Sequence, residues 1–404
     1  MADRWGTDRR RFVGTSLAAL GLCAPLGLII GTAEAQDQQE SAANDFRARA
    51  QAFRGNYQQQ ATQLRERYAE YAAKIREEWG SDAALPDGVT LVEYDDELGS
   101  RRVVDYETGV AEASVLIEAD EDPTSESVRE RLAREIEGML TQGPDQRDLE
   151  KLAEEPGEPE RSGEPILNDQ VDLGGQTPEA FARVVAAGPP SLSPVARAEG
   201  QTVTETTTET TTVTRQVVTV QFNLLPDHVE RRARTFAPLV EVHTESFGVD
   251  APVVWSVMET ESAFRPRAKS HVPAFGLMQL VPWSGGRDAY RYVYKEDRVV
   301  SEEFLYQPNE NVQLGTAYLR LVYDNYLKWI DDSRTRLWAT IASYNTGSGN
   351  VIRAFGRNRT EASRAVNAMS PTQAFEHMRR NLPYAETRDY IVKVRDKSAK
   401  YGSI

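Results

Sequence analysis

One glutamate, Glu261, carries the clearest chemical signal in this sequence of 404 residues. It lies on a predicted helix that follows Asp250, a residue type that often caps helices through its side chain. Three apolar residues share one face of that helix with Glu261 at spacings of three, four and seven: Val254, Val257 and Met258. Apolar surroundings disfavour the charged form of a carboxyl and raise its pKa, as a general acid near neutral pH requires. Glu261 is therefore the predicted catalytic acid.

The same residue has a simpler interpretation as a surface glutamate. Charged side chains are mostly exposed, and Glu261 could be solvated or paired with Arg265 or Lys269. Glu259 is two positions earlier, about 200° away around the helix, and is predicted to point elsewhere. The helix alone is compatible with a catalytic and with a surface glutamate, and motifs elsewhere in the chain distinguish the two.

Three ordered motifs over the C-terminal part of the chain favour catalysis. E-S-x-F at 261–264 is followed by Ser270 and by G-L-M-Q at 276–279, then by A-S-Y-N-T-G at 342–347 and E-T-R-D-Y at 386–390. Together they resemble the motifs of the lysozyme-like lytic transglycosylases, with Ser343 inserted between the Ala and the Tyr of the second motif. The stretch 79–110 resembles the N-terminal domain of one branch, membrane-bound lytic murein transglycosylase C, and the insertion 288–305 is similar to that branch.

This resemblance implies an enzyme that cuts peptidoglycan between N-acetylmuramic acid and N-acetylglucosamine and leaves a 1,6-anhydro end. Glu261 would act first as acid and then as base, without metal or cofactor. The remaining site residues fall on motif positions: Ser270, Gln279, Tyr344 and Asn345 line the family's sugar groove, and Tyr390 lies near the catalytic carboxyl. For Tyr344 and Tyr390 packing in a helical core is the alternative.

One departure from the family pattern lies in the loop after the predicted catalytic helix. The motif S-x-x-G-A-x-G is replaced here by S-H-V-P-A-F-G at 270–276. Pro273 fixes its backbone φ and lacks the N–H donor that glycine would offer. The departure changes the predicted shape of the loop and removes no catalytic group.

The elements around these motifs predict an α+β protein with an all-α, lysozyme-like (goose-type, SLT) catalytic domain. The predicted ranges are an export signal at 1–35, an N-terminal α+β domain at 36–155, a loop-rich and Thr-rich linker at 156–212, a connecting strand at 213–225 and the catalytic domain at 226–404. Within the N-terminal domain, a long helix over 41–79 is predicted to cover a three-stranded antiparallel sheet formed by 88–94, 102–106 and 111–117. The connecting strand is predicted to join that sheet.

Composition separates the two halves of the chain and bears on location and partners. The range 226–404 contains 25 Lys and Arg against 21 Asp and Glu, or +4, which leaves −19 of the total charge of −15 in residues 1–225. Such an acidic half argues against nucleic acid as a partner. Residues 9–35 combine R-R-R-F, an apolar run and an A-E-A site, which predicts twin-arginine-like export to the periplasm of a Gram-negative bacterium. Membrane association through Cys23 or an uncleaved anchor stays open.

Two other functions compete with the leading hypothesis. A hydrolytic muramidase would use water, and most glycosidases of that kind need two carboxylates about 5 to 10 Å apart. The sequence supports a catalytic role for one carboxylate, Glu261, and for no second one. A non-catalytic peptidoglycan-binding or scaffolding protein could keep the fold, although Glu261 at the motif position argues against it. Exo- or endo-cleavage, stem-peptide preference and protein partners are not readable from these residues.

Overall fold

The computed structural model describes residues 62–63, 66–145, 161, 163–196, 213–270 and 274–402. The elements of its first part are an antiparallel sheet and helices on both faces, and the named elements from residue 228 onward are helical. The predicted α+β class is confirmed. The export signal predicted at 1–35 and the Pro273 departure lie outside the described residues.

The sheet has five strands: β1 (Thr90–Tyr94), β2 (Ser100–Asp105), β3 (Val110–Glu118), β4 (Ser191–Ala196) and β5 (Val213–Asn223). Their order is β1-β2-β3-β5-β4, and all neighbouring pairs are antiparallel. The three strands predicted in the N-terminal domain are confirmed, and β5 pairs with β3 from Val110–Asn223 to Glu118–Arg215, as predicted. Strand β4 lies in the range predicted as linker, so that prediction is wrong there. Pro194 argues against a strand in the sequence, because proline cannot donate a hydrogen bond to a neighbouring strand. It is tolerated in β4 because β4 lies at the edge of the sheet.

The helices are α1 (66–79), α2 (Glu126–Thr141), α3 (Pro178–Ala186), α4 (His228–Thr235), α5 (Ala237–Phe247), α6 (Ala251–Ser262), α7 (Gly285–Tyr294), α8 (Glu302–Leu305), α9 (Pro308–Leu321), α10 (Ser333–Thr346), α11 (Ser348–Phe355), α12 (Arg359–Asn367), α13 (Pro371–Asn381) and α14 (Ala385–Ser398). Helices α4 and α5 follow each other closely but are separate elements, with Phe236 between them. Pro238 lies in the first turn of α5, where a missing N–H costs nothing.

Both faces of the sheet are covered, which makes the first part of the protein a three-layer domain. Helix α1 packs on one face through Ile75 and Trp79, which are fully buried against Val103 and Val217. This confirms the covering helix over residues 66–79, whereas residues 41–61 of the helix predicted over 41–79 lie outside the described residues. Helices α2 and α3 pack on the other face, where Ile136 lies in a cluster that extends as far as Ala263. Because Ala263 directly follows α6, this second core joins the sheet domain to the end of the predicted catalytic helix.

The packing of α2 can be tested with a substitution in its buried face. Ile136 is 0% exposed, so Ile136→Ala removes buried methyl groups and leaves a cavity, which costs about 2 to 5 kcal/mol of unfolding free energy. Urea denaturation followed by circular dichroism measures it. The matched control is Glu130→Ala on the exposed face of the same helix, with an expected change of about 0.5 kcal/mol or less. Equal effects of the two substitutions would contradict the described packing.

Candidate active site

Helix α6 presents Glu261 at its C-terminal end, one residue before the helix stops. Val254, Val257 and Met258 are each 0% exposed, so the predicted apolar face is buried. The predicted side-chain cap is wrong, because the Asp250 side chain makes no capping hydrogen bond to this helix. The two residues after Ser262, Ala263 and Phe264, have φ angles of 47° and 64°. This left-handed region is costly for residues with a side chain, so the backbone next to Glu261 is strained.

Tyr390 on α14 is the hydrogen-bond partner of Glu261. Its hydroxyl donates to Glu261 Oε1 at 2.7 Å. The Glu261 side chain is partly exposed, yet protein atoms crowd the carboxyl, and this desolvation raises its pKa to about 8. The Tyr390 hydrogen bond lowers that pKa and the charge of Glu386 raises it, both by less than desolvation. A carboxyl with this pKa is mostly protonated at pH 7, as a general acid requires.

The second and third motifs meet around this carboxyl. Tyr344 on α10 is half-buried, and its hydroxyl donates to Met278 O at 2.7 Å. Burial and the proximity of Glu261 raise the pKa of Tyr344 well above its usual value, so its phenol stays protonated. Asn345 is fixed by Thr387, whose hydroxyl donates to Asn345 Oδ1 at 2.7 Å. Tyr344 and Asn345 of one motif and Tyr390 of another therefore belong to one connected region.

Gln279 ends the G-L-M-Q turn in a strained conformation with a φ of 45°. Its Nε2 donates to Ala268 O and to Gly276 O, both at 2.9 Å. The Gln279 Oε1 atom is buried and has no hydrogen-bond partner among the described residues. An unsatisfied buried acceptor is costly, so Gln279 offers an oriented acceptor that a hydroxyl or N–H group of a substrate could satisfy.

Asn311 on α9 is a site-supporting residue that the sequence analysis missed. It is 0% exposed; Oδ1 accepts from Met278 N at 2.7 Å, and Nδ2 donates to Phe275 O and Leu305 O. Gly276 has a φ of 78°, and a Cβ there would overlap the Asn311 amide. Asn311 therefore fixes the G-L-M-Q turn. An available signal was a polar residue on the apolar face of the predicted helix.

Ser270 lies apart from the residues around Glu261. It lines a cavity of about 720 Å³ between the sheet domain and the loop after α6, and Glu261 is not among the lining residues. Arg265 and Arg267 from the same loop also line this cavity. The structure thus brings Tyr390 into contact with Glu261 and places Ser270 in a neighbouring space that opens beside the same loop.

Glu259 is directed away from Glu261, as predicted, but it is buried. Lys400 Nζ donates to Glu259 Oε1 at 2.8 Å, and the Tyr401 hydroxyl donates to Oε2 at 2.6 Å. Lys397 also lies within 3.9 Å. Because its charge is matched by these residues, Glu259 holds the C-terminal residues against α6 and has no role at the cleft.

Comparison with known proteins identifies the family. A family model described as the transglycosylase SLT domain matches residues 238–367. Membrane-bound lytic murein transglycosylase C of Klebsiella pneumoniae is 30% identical over 325 residues, which cover 80% of this chain and 85% of the relative. The chain belongs to this lytic murein transglycosylase family. The protein of the same name from Sodalis glossinidius is 36% identical over 187 residues, 46% of this chain and 52% of that one.

A solved structure of a longer enzyme is also similar to part of this chain. The 70-kDa soluble lytic transglycosylase of Escherichia coli is 27% identical, with a TM-score of 0.34, over 43% of this chain and 25% of that one. Among the described residues, no helix is long and apolar enough to span a membrane, and no three His, Cys, Asp or Glu residues are grouped to hold a metal ion.

The raised pKa of Glu261 predicts a pH dependence of stability. An unfolded glutamate titrates near pH ~4.3, whereas Glu261 in the folded protein keeps its proton up to about pH 8. Between these values the folded state binds more protons than the unfolded state, so this group destabilises the fold as pH rises. We expect Glu261→Gln to gain Tm relative to wild type between pH 5 and 8, with a constant difference above pH 8. Thermal melts over this range test it, and a Tm difference that does not change with pH would contradict it.

Proposed function

We propose that this lytic transglycosylase cleaves the MurNAc-β-1,4-GlcNAc bond of peptidoglycan without water, with Glu261 as the only acid and base. The observation that supports this proposal is the environment of Glu261: protein atoms crowd its carboxyl, and the Tyr390 hydroxyl donates a hydrogen bond to it. Most glycosidases divide the two roles between two carboxylates. One carboxyl suffices here if the substrate supplies its own nucleophiles, which are its N-acetyl oxygen and its C6 hydroxyl.

In the first step Glu261 transfers its proton to the glycosidic oxygen. The bond between this oxygen and C1 of the muramic acid breaks, the oxygen leaves as a hydroxyl, and positive charge develops at C1. The N-acetyl oxygen of the same sugar stabilises that charge. With a pKa of about 8, most Glu261 carboxyls hold the required proton at pH 7.

In the second step the Glu261 carboxylate takes the proton of the C6 hydroxyl. The C6 oxygen then bonds to C1 and closes the 1,6-anhydro ring, which returns Glu261 to its protonated form. The Tyr390 hydroxyl donates to Glu261 Oε1 and stabilises the carboxylate between the two steps. Its own pKa is raised well above the usual value by burial and by Glu261, so it remains a donor throughout.

Four other residues are proposed to bind the glycan strand. Gln279 offers the buried Oε1 acceptor, and Asn345 has its amide orientation fixed by Thr387. The Tyr344 ring stands beside Tyr318 at a centroid distance of 5.5 Å and adds an aromatic surface on which a sugar can pack. Ser270 would contact the strand where it passes the 720 Å³ cavity.

Location and anchoring are part of the proposal. The curated relatives are named membrane-bound lytic murein transglycosylases, and the sequence predicts export at 1–35. We therefore place the enzyme in the periplasm, associated with a membrane. The peptidoglycan sacculus is its partner there.

The reaction is tested by mass spectrometry of purified sacculi digested with the protein, wild type beside Glu261→Gln. We expect anhydromuramyl ends from wild type and a loss of about 10³-fold or more from the variant, which cannot donate the proton. Reducing ends from wild type would make the protein a hydrolase instead. Equal lysis by the two proteins would overturn the role of Glu261.

The pH–rate profile tests the protonation state. Because the first step needs protonated Glu261, kcat/KM should fall as pH rises through about 8. We expect a tenfold loss per pH unit above that point, measured by release of soluble anhydromuropeptides from labelled sacculi. Stability has to be checked over the same range by circular dichroism. A rate that stays constant to pH 10 would rule out a general acid with this pKa.

A further inference from the structure

The residues that follow Glu261 are held by the sheet domain and not by the helical domain alone. Ala263 is 2% exposed and belongs to the same buried cluster as Val218 and Ile136 of the sheet domain. Its carbonyl accepts from Arg232 Nε at 2.8 Å. The strained turn formed by Glu261 to Phe264, called here the 261–264 turn, is therefore part of a core that the other domain builds.

Arg232 is fixed in turn by the sheet domain. Its guanidinium lies over the Tyr106 ring at 4.5 Å, and Nη1 donates to Gln170 Oε1. Tyr106, which follows β2, donates its hydroxyl to Ile166 O at 3.1 Å. Because Arg232 is half-buried and has partners on both domains, its hydrogen bond to Ala263 O is oriented by residues of the sheet domain.

Loop 86–89, which leads into β1, touches the backbone of Glu261 itself. A Cβ atom built on Gly88 would overlap the Glu261 carbonyl oxygen and lie 3.4 Å from its carbonyl carbon. The same atom would be 3.8 Å from Gln279 Oε1. Arg265 also holds this loop, since its Nη1 donates to Asp87 O and Gly88 O, both at 3.2 Å.

We propose that the sheet domain is a positioning element of the active site, acting through Gly88 of loop 86–89 on the 261–264 turn. The inference depends on the catalytic role of Glu261 proposed above. A helix end in a left-handed conformation persists only where its surroundings fix it. Gly88 contacts Glu261, Arg232 bonds to Ala263, and Arg265 bonds to the loop itself.

The consequence for catalysis follows from the position of Glu261 at this turn. Its carboxyl must meet Tyr390 at 2.7 Å and reach the glycosidic oxygen. A shift of the Glu261 backbone moves the carboxyl relative to Tyr390, which is held on a different helix, α14. Displacement of a reacting group by about 1 Å can cost ~10²-fold in rate. Gly88 therefore acts on kcat, while substrate binding relies on other residues.

The test is Gly88→Ala in the full-length protein, beside wild type and Gly99→Ala. Gly99 is in the same domain, and an added Cβ there would meet only ordinary contacts at 3.7 Å and beyond. We expect Gly88→Ala to lower kcat on labelled sacculi by ~10- to 100-fold, and Gly99→Ala to match wild type. Affinity for purified glycan strands, measured with each substitution in a Glu261→Gln background, should change by less than ~2-fold. Partial unfolding would instead lower the binding stoichiometry.

A second pair of variants covers the case in which Gly88→Ala does not fold. Asp87 Oδ1 accepts from Val89 N at 2.9 Å and Thr90 N at 2.7 Å and so shapes the loop without touching Glu261. Asp87→Ala should lower kcat at unchanged affinity, and Asp87→Asn, which keeps one acceptor oxygen, should retain more activity. If wild type itself forms no anhydro product, the proposed function fails. If wild type is active and the Gly88 and Asp87 variants keep its kcat, the positioning role is overturned and the function stands.

Discussion

The active site depends on one constraint: a carboxyl must stay protonated at neutral pH and still be stabilised after it ionises. Crowding by protein atoms meets the first demand and raises the pKa of Glu261 to about 8. Among the residues that the structure describes, one donor, the Tyr390 hydroxyl at 2.7 Å, meets the second. More donors would stabilise the carboxylate too well and remove the acid, whereas none would leave the charged form without support. The position of Glu261 relative to one tyrosine therefore decides both halves of the proposed reaction.

Several contacts within the helical domain fix α6 and the G-L-M-Q turn, and thereby the position of Glu261. The G-L-M-Q turn is fixed by Asn311 from α9 and by Ser262, whose hydroxyl donates to Leu277 O at 2.7 Å. Met278 fills the space beside Gly315, where a Cβ would overlap its side chain. On the opposite side of α6, Glu259 is tied to Lys400 and Tyr401. These contacts fix α6 from within the helical domain, and the sheet domain adds further contacts at its last turn, where Glu261 lies.

The elements that the sequence predicted produce local patterns, whereas the elements that it missed depend on contacts between distant positions. Helical periodicity identified the buried face of α6, and alternating β-branched residues identified β5, because both patterns are local. The capping box at Ser370 and Gln373 was also readable and is present. By contrast, β4 is an edge strand that contains a proline, and Gly88 matters only because another domain approaches its backbone closely. The same holds for Asn311, whose partners Met278 and Phe275 lie 33 and 36 positions away in the sequence. Periodicity can mark such a residue as buried, but it does not reveal the distant partner that the residue contacts.

The strained backbone around the site links stability to function. Three non-glycine residues with positive φ, Ala263, Phe264 and Gln279, lie close in sequence to Glu261 or in the turn that packs on it. Each conformation costs about 1 to 3 kcal/mol and needs compensation from its surroundings. Ala263 has that compensation in the core shared with the sheet domain, and Gln279 has it in its two hydrogen bonds to backbone carbonyls. The left-handed residues Ala263 and Phe264 change the direction of the chain directly after α6. A sheet domain without catalytic groups of its own is thus tied to the geometry of the acid.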